Sequence, residues 1–365
     1  MEHSDQLYQI AFSQLHGIGP VRARRILKLL KHPRDFFELN YNALQQLTSI
    51  PIVQLEKTNR TNALWRAQGQ LPYLANENLS YHFITDPSYP ERLRHCSDAP
   101  LGLFYRGSAP SWQHPRCIAV VGTRQQTTYG QELVEAFLAG LPKDIVVISG
   151  LASGVDANVH EQCLQQQLQT IGVLGHGIDR IYPASNRKLA LQMLKQGGLL
   201  SEFLIGTKPD RMHFPMRNRI IAGLADAVVV IESNKNGGSL ITAELGNDYN
   251  REVFAFPGPI QHPQSEGCHA LIKNQQAHLL TSAADLLAAM NWSENQQINE
   301  LEIQKDLNPI QTQILSLFRN KNNWSIDELV LQIKQPVAQI SSNLFELELN
   351  GALQNIGANR YRLPL

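Results

Sequence analysis

Net charge is what this chain lacks most clearly. Its 365 residues carry 32 Lys+Arg against 32 Asp+Glu, a formal net charge of +0. No basic body advertises a polyanion partner, so any phosphate site must be a local patch. Four cysteines occur, Cys96, Cys117, Cys163 and Cys268. None forms a C-x-x-C pair or sits with histidines at metal-ligand spacing, which argues against a disulfide framework and a zinc site and fits a reducing cytoplasm. The start, Met1-Glu2-His3-Ser4-Asp5, has neither the basic opening nor the apolar core of a signal peptide,. No apolar run approaches the length of a membrane span. No G-x-x-x-x-G-K-[ST] is present, which excludes a phosphate-loop ATPase. Ser153 is not in a G-x-S-x-G elbow, because position 151 is Leu,. Gly175-His176-Gly177 begins like a dinucleotide fingerprint, but Arg180 holds the third glycine position,. The expectation is a cytoplasmic protein with no cofactor and no metal.

What is present centres on Phe214 to Gly246. Two arginines, Arg217 and Arg219, flank Asn218 on a segment whose Ile220, Ile221 and Leu224 suit a buried helix face,. Ala227-Val228-Val229-Val230-Ile231 follows, an unbroken β-branched run of the kind buried on both faces of a parallel sheet,. Gly237-Gly238-Ser239 then leads into a helix. Arginines, buried strand and glycine turn together predict an anion held at the end of a parallel sheet.

The length suits two or three domains. Residues 1–75 read as a helical module. Leu15-His16-Gly17-Ile18-Gly19-Pro20 followed by Val21-Arg22-Ala23-Arg24-Arg25-Ile26-Leu27 has the helix-hairpin-helix pattern, with Pro20 at a first-turn position,. Contact with DNA and a purely packing role both remain open for it. A degenerate copy at Leu44 to Pro51 lacks both glycines. Residues 76–116, with prolines at 87, 90 and 100, read as a connector with one short strand at Leu103-Phe104-Tyr105, docked on the next domain,.

Residues 117–290 alternate strands (Ile118–Val121, Ile145–Ser149, Thr170–Leu174, Leu199–Glu202, Ala227–Ile231, Val253–Phe256) with helices. That is an α/β doubly wound, Rossmann-like parallel sheet whose ligands collect beyond the strands' carboxyl ends. Asp156 and His160 share one helix face; an N-cap aspartate beside a packed histidine is favoured over an acid–base pair. Residues 291–308 read as a polar linker. Residues 309–365 read as a winged helix: a helix at Ile310–Phe318, a capping box at Ser325–Glu328, a third helix from Pro336 carrying Ile340, Leu344, Leu347 and Leu349, and a hairpin from Gly351 to Leu363,. Its third helix has no lysine or arginine, which favours a protein partner over duplex DNA.

Several ordered motifs carry a resemblance. They are Val121-Gly122-Thr123-Arg124, Tyr129-Gly130, Ser149 to Ala157, Ile181-Tyr182-Pro183, Ser201-Glu202, Phe214 to Leu224, Gly238 to Ala243 and Phe256-Pro257-Gly258. In this order they resemble the DNA-processing protein A (DprA, also called Smf) family over essentially the full chain. The resemblance implies a single-stranded-DNA-binding recombination mediator of natural transformation. Such a protein protects incoming strands, displaces or bypasses single-strand-binding protein, loads RecA recombinase, and dimerises through its Rossmann-like domain. It also implies a DNA groove formed by Gly122, Thr123 and Arg124, by Lys188 or its neighbour Arg187, by Arg217, Asn218 and Arg219, and by Gly238 and Ser239. The chain departs from the family pattern at Gly237 (usually Ser), His269 (usually Asn) and Gln276 (usually Gly).

Two rivals are weighed against it. Asn236 to Glu244 looks distantly like the P-G-G-x-G-T-x-x-E of lonely-guy phosphoribohydrolases, but Leu240 and Ile241 stand at the later Gly-Thr positions, where bulk crowds a phosphate. The other is a protein-interaction scaffold with a vestigial phosphate site. For Arg217 and Arg219 the plain reading is a solvated face or a structural pair with Asp226 or Glu202. Tyr182 and Phe214 are the aromatics nearest the groove in sequence.

Overall fold

The computed structural model describes residues 2–76, 79–108, 112–292, 307–318, 323–350, 352–355 and 360–363. Most of the expected linker (293–306) and Gly351, the head of the expected hairpin, lie outside the described residues. The chain divides into two compact units, Met1–Leu286 and Leu287–Leu365.

The first unit opens with short helices, from α1 (Glu2–Ser13) and α2 (Pro20–Leu29) to α7 (Leu71–Asn76). The glycine turn forms as its residues dictate: Gly17 takes φ +71°, Gly19 is the extended N-cap, and Pro20 opens α2,. The copy without glycines turns in a similar way, because Ser49 adopts the left-handed conformation between α4 (Tyr41–Thr48) and α5 (Ile52–Lys57). Arg24 does not await a ligand. Its guanidinium donates to the carbonyls of Cys96 (2.6 Å) and Arg94 (2.9 Å) and fastens α2 to the following segment.

That segment is more than a connector. It supplies two strands, β1 (Leu79–Phe83) and β2 (Gly102–Gly107), separated by the single turn α8 (Glu91–Arg94). β1 pairs antiparallel with β2, and β2 antiparallel with a strand of the main sheet, so 76–116 extends that sheet at one edge. The main strands are β3 (Cys117–Val121), β4 (Val146–Ser149), β5 (Gln169–Val173), β6 (Gly197–Ser201), β7 (Ala227–Val230), β8 (Glu252–Ala255) and β9 (His278–Leu279). The order is β1-β2-β6-β5-β4-β3-β7-β8-β9, parallel from β6 to β9. Between these strands run α9 (Thr128–Ala139), α10 (Val155–Gln165), α11 (Arg187–Gln196), α12 (His213–Leu224) and α13 (Gly238–Asp248). The apolar runs of β3 and β7 are buried throughout, as strands covered on both faces must be. From β3 the chain winds one way to β6, then returns to lay β7 on the other side of β3. The carboxyl ends of β3 and β7 therefore form the topological switch point, where such sheets open a crevice. All four cysteines are buried and unbonded.

The second unit holds three helices, Pro309–Phe318, Ile326–Ile333 and Val337–Leu349, and a small antiparallel sheet of Asn323–Ser325, Arg360–Arg362 and Gln354–Asn355. The capping box is made: Ser325 Oγ accepts from Glu328 N, and the Glu328 carboxylate accepts from Ser325 N,. Ile314, Phe318, Leu329, Ile340, Leu344 and Leu347 form its core. Leu349, read as part of that apolar face, is 70% exposed.

Candidate functional site

A cleft of about 750 Å³ opens at the switch point. Its walls are the loop after β3, the first turns of α12, the turn into α13, and Tyr182. The β3 loop is built to hold still. Thr123 N donates to the carbonyl of Glu232 (2.8 Å), and the Glu232 carboxylate accepts from Thr127 N (3.0 Å) and Thr127 Oγ1 (2.5 Å). Thr127 caps α9 in turn, accepting from Gly130 N,. Position 130 must be glycine here, since a Cβ would come 2.1 Å from Glu232 Oε2. The Tyr129-Gly130 motif is thus the seat of a buried carboxylate, and the same carboxylate fixes the loop that carries Arg124.

Arg124 is exposed at the cleft rim, its guanidinium carbon 5.3 Å from the centroid of the Phe214 ring. Phe214 lies 5.9 Å from Tyr182, the rings tilted by 33°. The two aromatics nearest in sequence are therefore near in space, in a row with the cation.

Arg217 forms part of the cleft lining at 4% exposure and donates from Nη1 to the carbonyl of Val173 (2.8 Å). It crosses the space a side chain at Gly150 would fill: a Cβ there would lie 1.8 Å from Nη1. Its Nε is buried without a partner. Burial pushes the guanidinium down to about 10, with Asp156 opposing and Arg124 adding to the shift. Burial likewise raises the Asp156 carboxyl, against the pull of Arg217. Asp156 is not the expected N-cap. Gly154 caps α10, and Asp156 sits inside the first turn, where its Oδ2 accepts from Ala152 N (3.4 Å) and faces the cleft. His160 is the packed histidine expected, fully buried with Nδ1 2.7 Å from Thr170 Oγ1.

The remaining predicted residues divide. Gly122, Thr123, Asn218, Gly238 and Ser239 line the cleft with Arg124 and Arg217. Asn218 Nδ2 donates to the carbonyl of Gly238 (3.3 Å), joining α12 to the start of α13. Ser239 lines it by backbone, because its hydroxyl is turned inward to Ser233 Oγ (2.9 Å). Arg219 is a correction. It points away from the cleft and pairs with Glu202 (2.5 Å) at 11% and 13% side-chain exposure, while Asp226 pairs with Arg92. Arg187 and Lys188 are exposed on the first turn of α11 but do not border the cleft. Arg211, which sequence reasoning passed over, does border it; a lone arginine in the polar loop Thr207–Arg211 gave no periodic signal. The charged lining is then Arg124, Arg211 and Arg217 against Asp156, a cationic patch on a neutral chain.

For the hydrolase alternative, Leu240 packs into the core, Ile241 borders the cleft, and Glu244 is exposed outside the lining. Among the described residues no cluster of His, Cys, Asp or Glu could hold a metal ion, and no helix is long and apolar enough to cross a membrane.

Comparison with known proteins fits this architecture. The family model of DNA recombination-mediator protein A matches residues 80–291. The chain is 31% identical to Protein Smf of Synechocystis over 99% of its own length and 100% of that protein's. It is similar to the crystal structure of DNA processing protein A from Streptococcus pneumoniae, with a TM-score of 0.66 and 34% identity over 77% of this chain and 97% of that one. A structure of DNA processing protein A from Helicobacter pylori, described as giving insight into its single-stranded DNA binding mode, matches with a TM-score of 0.53 and 26% identity, over 59% of this chain and 97% of that one.

Proposed function

The chain belongs to the DNA recombination-mediator protein A family, and on that footing we propose that its cleft holds single-stranded DNA by the backbone and hands it to RecA recombinase. The observation that carries this reading is the row Arg124, Phe214, Tyr182. An exposed guanidinium over one ring, with a second ring beside it, offers a phosphate partner next to a stacking platform,. The open N-terminus of α13 at Gly238 adds backbone N–H groups at the same edge,. The single-stranded DNA binding described for the Helicobacter pylori relative supports the choice of polymer. Glu244 outside the cleft and Ile241 at its wall weigh against nucleotide hydrolysis.

The sequence has no phosphate-loop motif, so the energy for strand exchange comes from the partner's ATPase, and this protein works by binding and transfer. In this reading it protects incoming strands during natural transformation. It acts in the cytoplasm as a homodimer through the sheet domain and competes with single-strand-binding protein. The second unit is a winged helix with a protein partner. The helix Val337–Leu349 carries no basic residue, whereas duplex binding draws its affinity from phosphate neutralisation.

Fluorescence anisotropy of a labelled oligonucleotide across a salt series tests the cleft. Affinity falls with salt, and Arg124→Ala weakens binding to every sequence about equally. The slope of log K against log salt flattens by about 0.7 for each phosphate that the variant no longer neutralises. An unchanged slope and affinity in the folded variant would overturn the assignment.

A further inference from the structure

A second cavity, of about 280 Å³, lies between the helical module and the sheet, with Ser13, Gln14 and Arg66 on one side and Glu202, Phe203 and His213 on the other. It meets the cleft at the first turn of α12: His213 borders the cavity and the next residue, Phe214, borders the cleft. Two buried polar atoms of its walls, Glu202 Oε1 and His213 Nδ1, have no hydrogen-bond partner. Glu202 gives its other oxygen to Arg219 (2.5 Å). Burial nonetheless holds its carboxyl above the usual range, a cost that a donor placed on Oε1 would relieve. The His213 ring is stacked on Phe203, centroids 4.2 Å apart, giving the cavity a flat wall.

At Arg66, Leu204 and Thr207 the cavity runs into a shallower groove of about 600 Å³ bordered by Trp65, which is 74% exposed. Gln70 Oε1 accepts from Ile205 N (2.8 Å) and pins the module against this edge. The stretch from Thr207 to Phe214 links the two sites and carries the exposed cations Lys208 and Arg211. An exposed indole beside a guanidinium is the pairing that single-strand grooves use, one for a base face and one for a phosphate.

We propose that this cavity and groove form a second single-stranded DNA subsite, in which one unstacked base donates an exocyclic amine to Glu202 Oε1 and the flanking chain runs over Trp65 and Arg66. It rests on the cleft reading above, of which it is the continuation. The carboxylate selects. Cytosine, adenine and guanine present amine donors, whereas thymine offers a carbonyl at the place of the cytosine amine and is repelled.

The test is anisotropy of oligo(dC) and oligo(dT) at lengths of about 5 and about 15 nucleotides, within the range of single-strand site sizes. The short oligomers fill the cleft alone and bind alike. At the longer length oligo(dC) binds about tenfold more tightly than oligo(dT), as one amine–carboxylate pair allows. Trp65→Ala and Arg66→Ala, both at exposed positions, lose most of the gain with length and keep short-oligomer affinity. Equal affinity for long oligo(dC) and oligo(dT), or variants that keep the full gain with length, overturns the subsite and leaves the cleft standing. No binding of the short oligomers by the unaltered protein overturns both.

Discussion

Arg217 and Arg219 stand two positions apart on α12, and a helix of 3.6 residues per turn sends such a pair to nearly opposite sides. One reaches the cleft and the carbonyl of Val173; the other reaches Glu202. The resemblance puts both in the DNA groove, although helical spacing alone separates them. The consequence is a division of labour that can be measured. Arg219→Ala leaves the Glu202 carboxylate buried and unpaired, and removing one member of a buried pair costs about 3–5 kcal/mol. Urea unfolding should show that loss, while the salt slope for short oligonucleotides stays as in the unaltered protein. A variant of full stability with a flattened slope would return Arg219 to the groove.

At the scale of elements, the site depends on how loops are tied to the strands beneath them. Glu232, at the end of β7, holds the β3 loop through Thr123 and Thr127 and leaves no room for a side chain at Gly130. Gly130→Ala must push either α9 or that carboxylate aside. Overpacking of this kind costs about 1–3 kcal/mol, and because the displaced loop carries Arg124, DNA affinity should fall with stability. Unfolding and anisotropy on the same variant check the linkage; a loss of stability with full affinity would mean that the loop is held by other bonds. The central strands were legible because a strand covered on both faces has to be an unbroken apolar run, as β3 and β7 are. The edge pair was not. β1 reads Leu-Ser-Tyr-His-Phe, and its polar members satisfy one another, with Ser80 Oγ 2.8 Å from His82 Nε2 and His82 Nδ1 2.8 Å from Ser88 Oγ. Such local bonding leaves no hydrophobic alternation to read, and the prolines that follow mask the hairpin as a connector. Arg211 was hidden for a related reason, since a loop has no period from which a direction can be inferred.

Across the whole first unit, burial sets how the fold responds to acid. His82 on β1 and His160 on α10 are both held neutral, burial lowering them to about 4 and about 3. Unfolded, each titrates near 6.5. Between those values the unfolded chain binds more protons than the folded one, so this contribution to stability is complete above about pH 6.5 and is lost as the pH falls towards 4, at about 1.4 kcal/mol per pH unit for each histidine. Asp156 and Glu202 act in the opposite sense. Burial raises both carboxyls, so the folded state takes up protons ahead of the unfolded one and gains relative stability on acidification,. The net profile of the protein mixes the two, and a variant separates them. His160→Asn keeps a polar atom near Thr170 Oγ1 and removes the titration. It should be less stable than the unaltered protein at pH 7.5, where the buried imidazole packs best, and the gap should narrow on going to pH 5 because only the unaltered protein then gives up its histidine contribution. Urea unfolding at the two pH values reads this directly. A gap that stays constant would mean that His160 is protonated in the folded state, which neither its full burial nor its neighbours Thr170 and Arg217 permit.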